Sequence, residues 1–128
     1  MSTVLIVDAD ATMRRILKKS MERIRPHWSI IEAIDGESAS EISGAMDPNG
    51  ISLLITDLHL RAINGIQLIK HVRDKHGKIK AILTVWAGAT DIPNDHGADN
   101  VLQKPFQPQA LITVFGGLFA EPINQGAI

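Results

Sequence analysis

The sequence has 128 residues, 45% hydrophobic and 21% charged, which suits one domain of the usual ~100–150 residues and excludes a disordered tail or a stapled mini-protein. Thirteen Lys and Arg against 14 Asp and Glu leave a net charge of -1, so there is no basic field to draw the chain onto nucleic acid or anionic lipid. No cysteine is present, which removes disulfides, thiolate zinc sites and a thiol nucleophile, and leaves carboxylates and imidazoles as candidate metal ligands.

The amino end, Met1-Ser2-Thr3-Val4-Leu5-Ile6-Val7-Asp8, is apolar over too short a run for a signal-peptide core, and no later stretch approaches the ~20 apolar residues that span a bilayer. A cytoplasmic protein without membrane contact is expected. Short apolar runs rich in β-branched residues recur at 4–7, 28–31, 53–55, 82–85 and 101–102. They lack polar alternation, as strands covered on both faces do. After the first run, Met13, Ile16, Leu17, Met21 and Ile24 fall on one helical stripe, and Pro26 stops the helix. A second helix follows Asp35-Gly36 with Ala39, Ile42 and Met46 inward, and Trp28 is placed near the second strand. A third follows Asn64-Gly65 with Leu68, Ile69 and Val72 inward. Between the last two strands, Gly88, Pro93, Asn94 and Gly97 leave room for at most two turns, so a shortened fourth helix is expected. The last helix, after Pro108, carries Leu111, Ile112, Phe115 and Leu118, with fraying predicted at Gly116-Gly117. Strand and helix alternate throughout, which implies an α/β fold: a five-stranded parallel sheet, doubly wound, in a single domain over 1–128.

In such a sheet, chemistry gathers at the carboxyl ends of the strands. Asp8, Asp57 and Lys104 each follow a buried strand directly. An aspartate at a strand end is ordinarily a turn or helix cap, but three charged groups at one edge make a site. Two neighbouring carboxylates repel unless a cation lies between them, and a hard, oxygen-seeking ion such as Mg²⁺ suits them. Lys104 adds a positive charge for an incoming phosphoryl oxygen.

The segments Val4-Leu5-Ile6-Val7-Asp8, Ala33-Ile34-Asp35-Gly36-Glu37-Ser38-Ala39, Leu53-Leu54-Ile55-Thr56-Asp57-Leu58-His59-Leu60 with Asn64-Gly65, and Gln103-Lys104-Pro105-Phe106 together resemble the response-regulator receiver domain of bacterial two-component signalling. That resemblance covers essentially the whole chain. It implies a flavodoxin-like fold in which Asp57 accepts a phosphoryl group from a histidine kinase or histidine phosphotransfer protein. It also implies Mg²⁺ held by Asp8, Asp57 and the backbone carbonyl of His59, and Lys104 paired with the phosphoryl oxygens. Such a domain is not an enzyme beyond its own phosphoryl transfer and dephosphorylation.

Against the family pattern, Ala9 stands where a second acid is usual, so Mg²⁺ binding is expected to be weak. Asp10 is a substitute metal ligand, although capping the helix near Thr12 is the favoured role. Trp86 occupies the place of the hydroxyl residue that follows the phosphoryl group, with Thr84 two residues early, and Val101 replaces the aromatic switch residue. The Trp86 ring is read either as a lid over the Asp57 pocket or as lying flat on the surface.

Two other readings stand beside the phosphoacceptor. One is a degenerate receiver serving as a phosphorylation-independent interaction module, favoured by Ala9, Trp86 and Val101. The other takes Asp8-Ala9-Asp10-Ala11-Thr12 as the D-x-D-x-T motif of haloacid-dehalogenase-like phosphatases, with Asp8 as nucleophile and Asp10 as general acid. The cationic residues Arg14, Arg15, Lys18, Lys19 and Arg23 of the first helix form a solvated face or dock an acidic kinase or phosphotransfer partner. His59, His71, His76 and His96 lack metal-ligand spacing and are assigned to the surface. Since the chain ends soon after its last helix, output is expected to pass through contact with a downstream protein.

Overall fold

All the apolar runs become strands. In the computed structural model, which describes residues 2–119, the order is β1 (Thr3–Val7), α1 (Ala11–Ile24), β2 (Ser29–Ala33), α2 (Gly36–Ala45), β3 (Leu53–Asp57), α3 (Gly65–His76), β4 (Lys80–Trp86), β5 (Asn100–Lys104) and α4 (Pro108–Leu118). The sheet is parallel, in the order β2-β1-β3-β4-β5. This is the flavodoxin-like arrangement. Residue 1 and residues 120–128 of the expected 1–128 domain lie outside the described residues.

Side chains alternate across each strand, and the alternation splits the core in two. Leu5, Val7, Leu54, Leu83 and Val85 pack with Ala39, Leu68, Ile69 and Val72 of α2 and α3. Val4, Ile6, Leu53, Ile55, Ile82 and Leu102 pack with Met13, Leu17, Met21, Leu111, Ile112 and Phe115 of α1 and α4. Because both faces are covered, the strands could be apolar throughout, which is what made them legible.

Helix starts fix where the chain leaves the carboxyl edge. Asp10 caps α1 by accepting from Thr12 N–H, and Asp35 caps α2 by accepting from Ser38 N–H. Asn64 and Gln67 form a reciprocal capping box on α3. Gly65 is required there, because a Cβ would overlap the Asp57 carbonyl oxygen.

Four expectations need correction. The shortened fourth helix is absent: residues 87–99 cross from β4 to β5 through turns, with Gly88 and Gly97 at φ 87° and 81°. Pro93 and these two left-handed glycines leave no uninterrupted helical turn, while Ala89, Ile92 and Ala98 still cover the sheet. The last helix does not fray at Gly116-Gly117 but runs to Leu118, where Phe119 N–H bonds Phe115 O. Buried Phe115 anchors that turn, its ring 5.6 Å from Trp28 and 4.6 Å from Phe119, so aromatic packing outweighs glycine's poor propensity. Trp28 thus lies beside β2, as expected, but packs mainly on α4.

His76 is the third correction: it is buried rather than superficial. Its Nδ1 accepts from the Gly50 and Ile51 N–H groups at 3.1 and 3.3 Å, and its Nε2 donates to Ser43 O at 2.9 Å. The ring therefore pins the α2–β3 loop to the end of α3. His96 is the fourth: it is partly buried, its Nδ1 accepting from Ala98 N–H.

Candidate functional site

The register assembles the site. Ile6 pairs with Ile55 and Ile55 with Ile82, all on the α1/α4 face. Two residues further along β3 and β4, Asp57 pairs with Thr84, which pairs with Leu102, and Asp8 continues β1 at the same level. One step beyond, Trp86 pairs with Lys104. Alternation thus brings Asp8, Asp57, Trp86 and Lys104 to the same side of the carboxyl edge, beside the β1/β3 switch point.

Lys104 is 1% exposed, yet charged groups are rarely buried without partners. Its Nζ lies 3.1 Å from Asp8 Oδ2 and 3.4 Å from Asp57 Oδ2. One ammonium thus bridges the two carboxylates that the sequence brought into question. Asp8 Oδ1 also accepts from Asp10 N–H at 2.9 Å, and its carbonyl accepts from Arg14 Nη1 at 2.7 Å. His59 N–H reaches Asp57 Oδ1 at 3.4 Å. Burial pushes the Asp57 carboxyl above its ordinary range, against the pull of Lys104, and the neighbouring Asp8 charge adds to the rise.

Above the ammonium, 4.7 Å from it, lies the centroid of the Trp86 ring. The indole caps Lys104 while remaining 52% exposed. Thr84, at the level of the carboxylates, is buried, and its hydroxyl has no hydrogen-bond partner among the described residues. Val101 packs on the opposite, α2/α3 core.

Asp8, Asp57 and the His59 carbonyl offer only oxygen, a donor set that fits Mg²⁺, which needs one or two carboxylates and otherwise keeps its waters. Among the described residues no group of three or more His, Cys, Asp or Glu converges on a metal position, so the available charge is low. Ala9 adds none. Asp10 takes the favoured role of cap, its Oδ1 accepting from Thr12 N–H at the start of α1.

One contact had no sequence signal. His59 Nε2 and Asp91 Oδ2 lie 2.7 Å apart, joining the loop after β3 to the segment that replaces the expected helix. The hydrogen bond from His59 lowers the Asp91 carboxyl below its usual range. On α1 the cationic face is partly tied down: Arg14 pairs with Glu32 at 3.4 Å and Lys18 with the same carboxylate at 3.9 Å. Arg15 and Lys19 stay exposed along a groove of about 460 Å³.

A buried aspartate pair bridged by lysine, at the carboxyl edge of a 2-1-3-4-5 sheet, is the arrangement of a receiver-type fold. The chain belongs to the response regulator receiver domain family, whose sequence pattern matches residues 4–115. It is 33% identical over 113 residues to a chemotaxis protein CheY homolog of Campylobacter jejuni, covering 84% of this chain and 85% of that protein. It is 34% identical over 115 residues to chemotaxis protein CheY1 of Helicobacter pylori, covering 84% and 89%. Among solved structures, chemotaxis response regulator CheY4 of Vibrio cholerae superposes with a TM-score of 0.77 at 19% identity, over 93% of this chain and 99% of that one. The chain is therefore a CheY-like receiver domain of two-component signalling. Receiver domains of this kind interact with histidine kinases and downstream proteins, and typically use Mg²⁺ at the phosphorylation site. No helix among the described residues is long and apolar enough to cross a membrane. Family membership over 4–115 also displaces the haloacid-dehalogenase reading.

Proposed function

We propose that this domain accepts a phosphoryl group on Asp57 from a phosphohistidine of a kinase or phosphotransfer protein, and passes the signal on by protein contact. The observation that carries the reading is the buried Lys104 ammonium, 3.4 Å from Asp57 Oδ2 and 3.1 Å from Asp8 Oδ2. An Asp57 oxygen forms the new P–O bond as the donor's P–N bond breaks, and the departing imidazole keeps the electron pair and takes up a proton. Such a transfer needs alignment and charge neutralisation more than acid–base help. Lys104 supplies one fixed positive charge. Asp8, Asp57 and the His59 carbonyl would hold Mg²⁺, which when bound neutralises charge on the transferring oxygens. Ala9 makes that binding weak. Exposed Arg15 and Lys19 suit an acidic docking partner, and the sheet with its helices acts as one receiver-like domain in a cytoplasmic pathway.

A second reading, an interaction module that signals without phosphorylation, draws on the same contact: Lys104 already neutralises the carboxylates, as a metal otherwise would. Acetyl phosphate with and without Mg²⁺, followed by intact mass, separates the two. The phosphoacceptor gives a Mg²⁺-dependent adduct of one phosphoryl group that Asp57→Asn abolishes. An adduct unchanged in Asp57→Asn would remove Asp57 from the role, and no adduct in the parent would leave the interaction module.

A further inference from the structure

The contact of Trp86 with Lys104 follows from the register. Because β4 and β5 are parallel and Trp86 pairs with Lys104, the two side chains rise side by side from one face of the sheet. Lysine carries a flexible stem and three donors. Two directions from Nζ are taken by Asp8 and Asp57. A third meets the indole face, 4.7 Å from its centroid, inside the ~6 Å within which a ring attracts a cation. The ammonium thus has a partner in three directions, and Lys104 is 1% exposed although its neighbour Gln103 is exposed. Trp86 is 52% exposed, and the chain turns away immediately after it, Ala89 N–H bonding Trp86 O.

We infer that Trp86 is a positioning residue: its indole pins the Lys104 ammonium between Asp8 and Asp57, and so controls entry to and exit from the Asp57 site. The inference rests on the phosphoacceptor reading for its effect on transfer, but not for the pin itself. Two consequences follow. Lys104 stays engaged by Asp8 and Asp57, so an incoming phosphoryl group must compete for it while the ring is in place. The same ring narrows the approach to Asp57, so small phosphodonors enter slowly and water reaches an acyl phosphate slowly.

The test uses the full chain with Trp86→Phe, Trp86→Leu and Trp86→Ala, since the half-exposed ring can be removed without opening the core. Acetylation of Lys104 by acetic anhydride, quantified by peptide mass spectrometry against Lys80 as internal reference, reads the pin without any phosphoryl chemistry. Expected is an increase of about five-fold in Trp86→Ala and Trp86→Leu, the size of an ordinary cation–π contact, with Phe between them and the parent. Protection of Lys104 in Trp86→Leu equal to the parent would overturn the inference, because bulk alone would then suffice. So would protection in Trp86→Ala equal to the parent. Acetyl phosphate labelling and adduct loss are measured on the same proteins with Mg²⁺, and both are expected to quicken in step with acetylation. Rates unchanged beside a changed acetylation pattern would overturn control of the site by the pin. No adduct in any of the proteins, parent included, would instead count against Asp57 as acceptor, and acetylation would still decide the pin.

Discussion

Asp57 combines two opposing demands, since the proposed phosphoacceptor role needs it ionised and the fold buries it at the edge of the sheet. Burial raises its carboxyl pKa in the folded chain, so the fold holds that proton more tightly than the unfolded chain does. Stability contributed by this group therefore falls as pH rises through the window between the unfolded and folded values, and stays lower above it. Asp57→Asn should accordingly be more stable than the parent at neutral pH, with the advantage shrinking as pH drops below the ordinary carboxylate range. Urea unfolding at both pH values checks this, and an advantage that grew on acidification would contradict it. Ala9→Asp adds a carboxylate beside Asp8 and should tighten Mg²⁺ binding by calorimetric titration; unchanged affinity would remove the pocket as a metal site. His76 serves no chemistry, but its ring satisfies Gly50 N, Ile51 N and Ser43 O. His76→Ala leaves those groups without partners and should cost about 3 kcal/mol by urea unfolding. That role was illegible in the sequence, because 26 residues separate His76 from Gly50 and a lone histidine carries no sign of its partner.

Among the elements, the strands and the first three helices were legible because each rests on a local rule. Apolar β-branched runs mark two-sided burial, and Asp10, Asp35 and Asn64 mark helix starts with their own side chains. The segment at residues 87–99 was read as a short helix because family likeness and strand spacing both left a place for one. Its composition told against that helix, and what holds it instead is distant. Asp99 accepts from Ala81 N–H at 2.8 Å and from Arg73 Nη2 at 2.9 Å, while Asp91 meets His59 across 32 residues. Tertiary partners of this kind have no periodic trace. The loop after β3 is a different case, since Asn64-Gly65 announced the start of a helix and the fold shows why glycine is needed: the Gly65 N–H bonds Leu58 O at 2.9 Å with the Asp57 carbonyl close beneath. Gly65→Ala should lower stability by about 2 kcal/mol or more and slow labelling at Asp57. A variant with parent urea midpoint and parent labelling rate would show that the loop tolerates the extra carbon.

Across the whole molecule, the sheet order and the alternation of strand and helix bring three residues far apart in the chain to one edge. Asp8, Asp57 and Lys104 were legible as a set because each directly follows a buried strand, a pattern that topology converts into proximity. Their actual state was not legible: that Lys104 would lie between the carboxylates and beneath an indole depends on side-chain geometry at the end of β5, which no spacing encodes. The account turns on which carboxylate becomes the acyl phosphate. The most direct measurement is borohydride reduction of acetyl phosphate-treated protein, which converts an aspartyl phosphate to homoserine, followed by peptide sequencing by mass spectrometry. Homoserine at position 57 alone is the predicted result. Homoserine at Asp8 or Asp10, or none at position 57 when the intact protein carries the adduct, would contradict it.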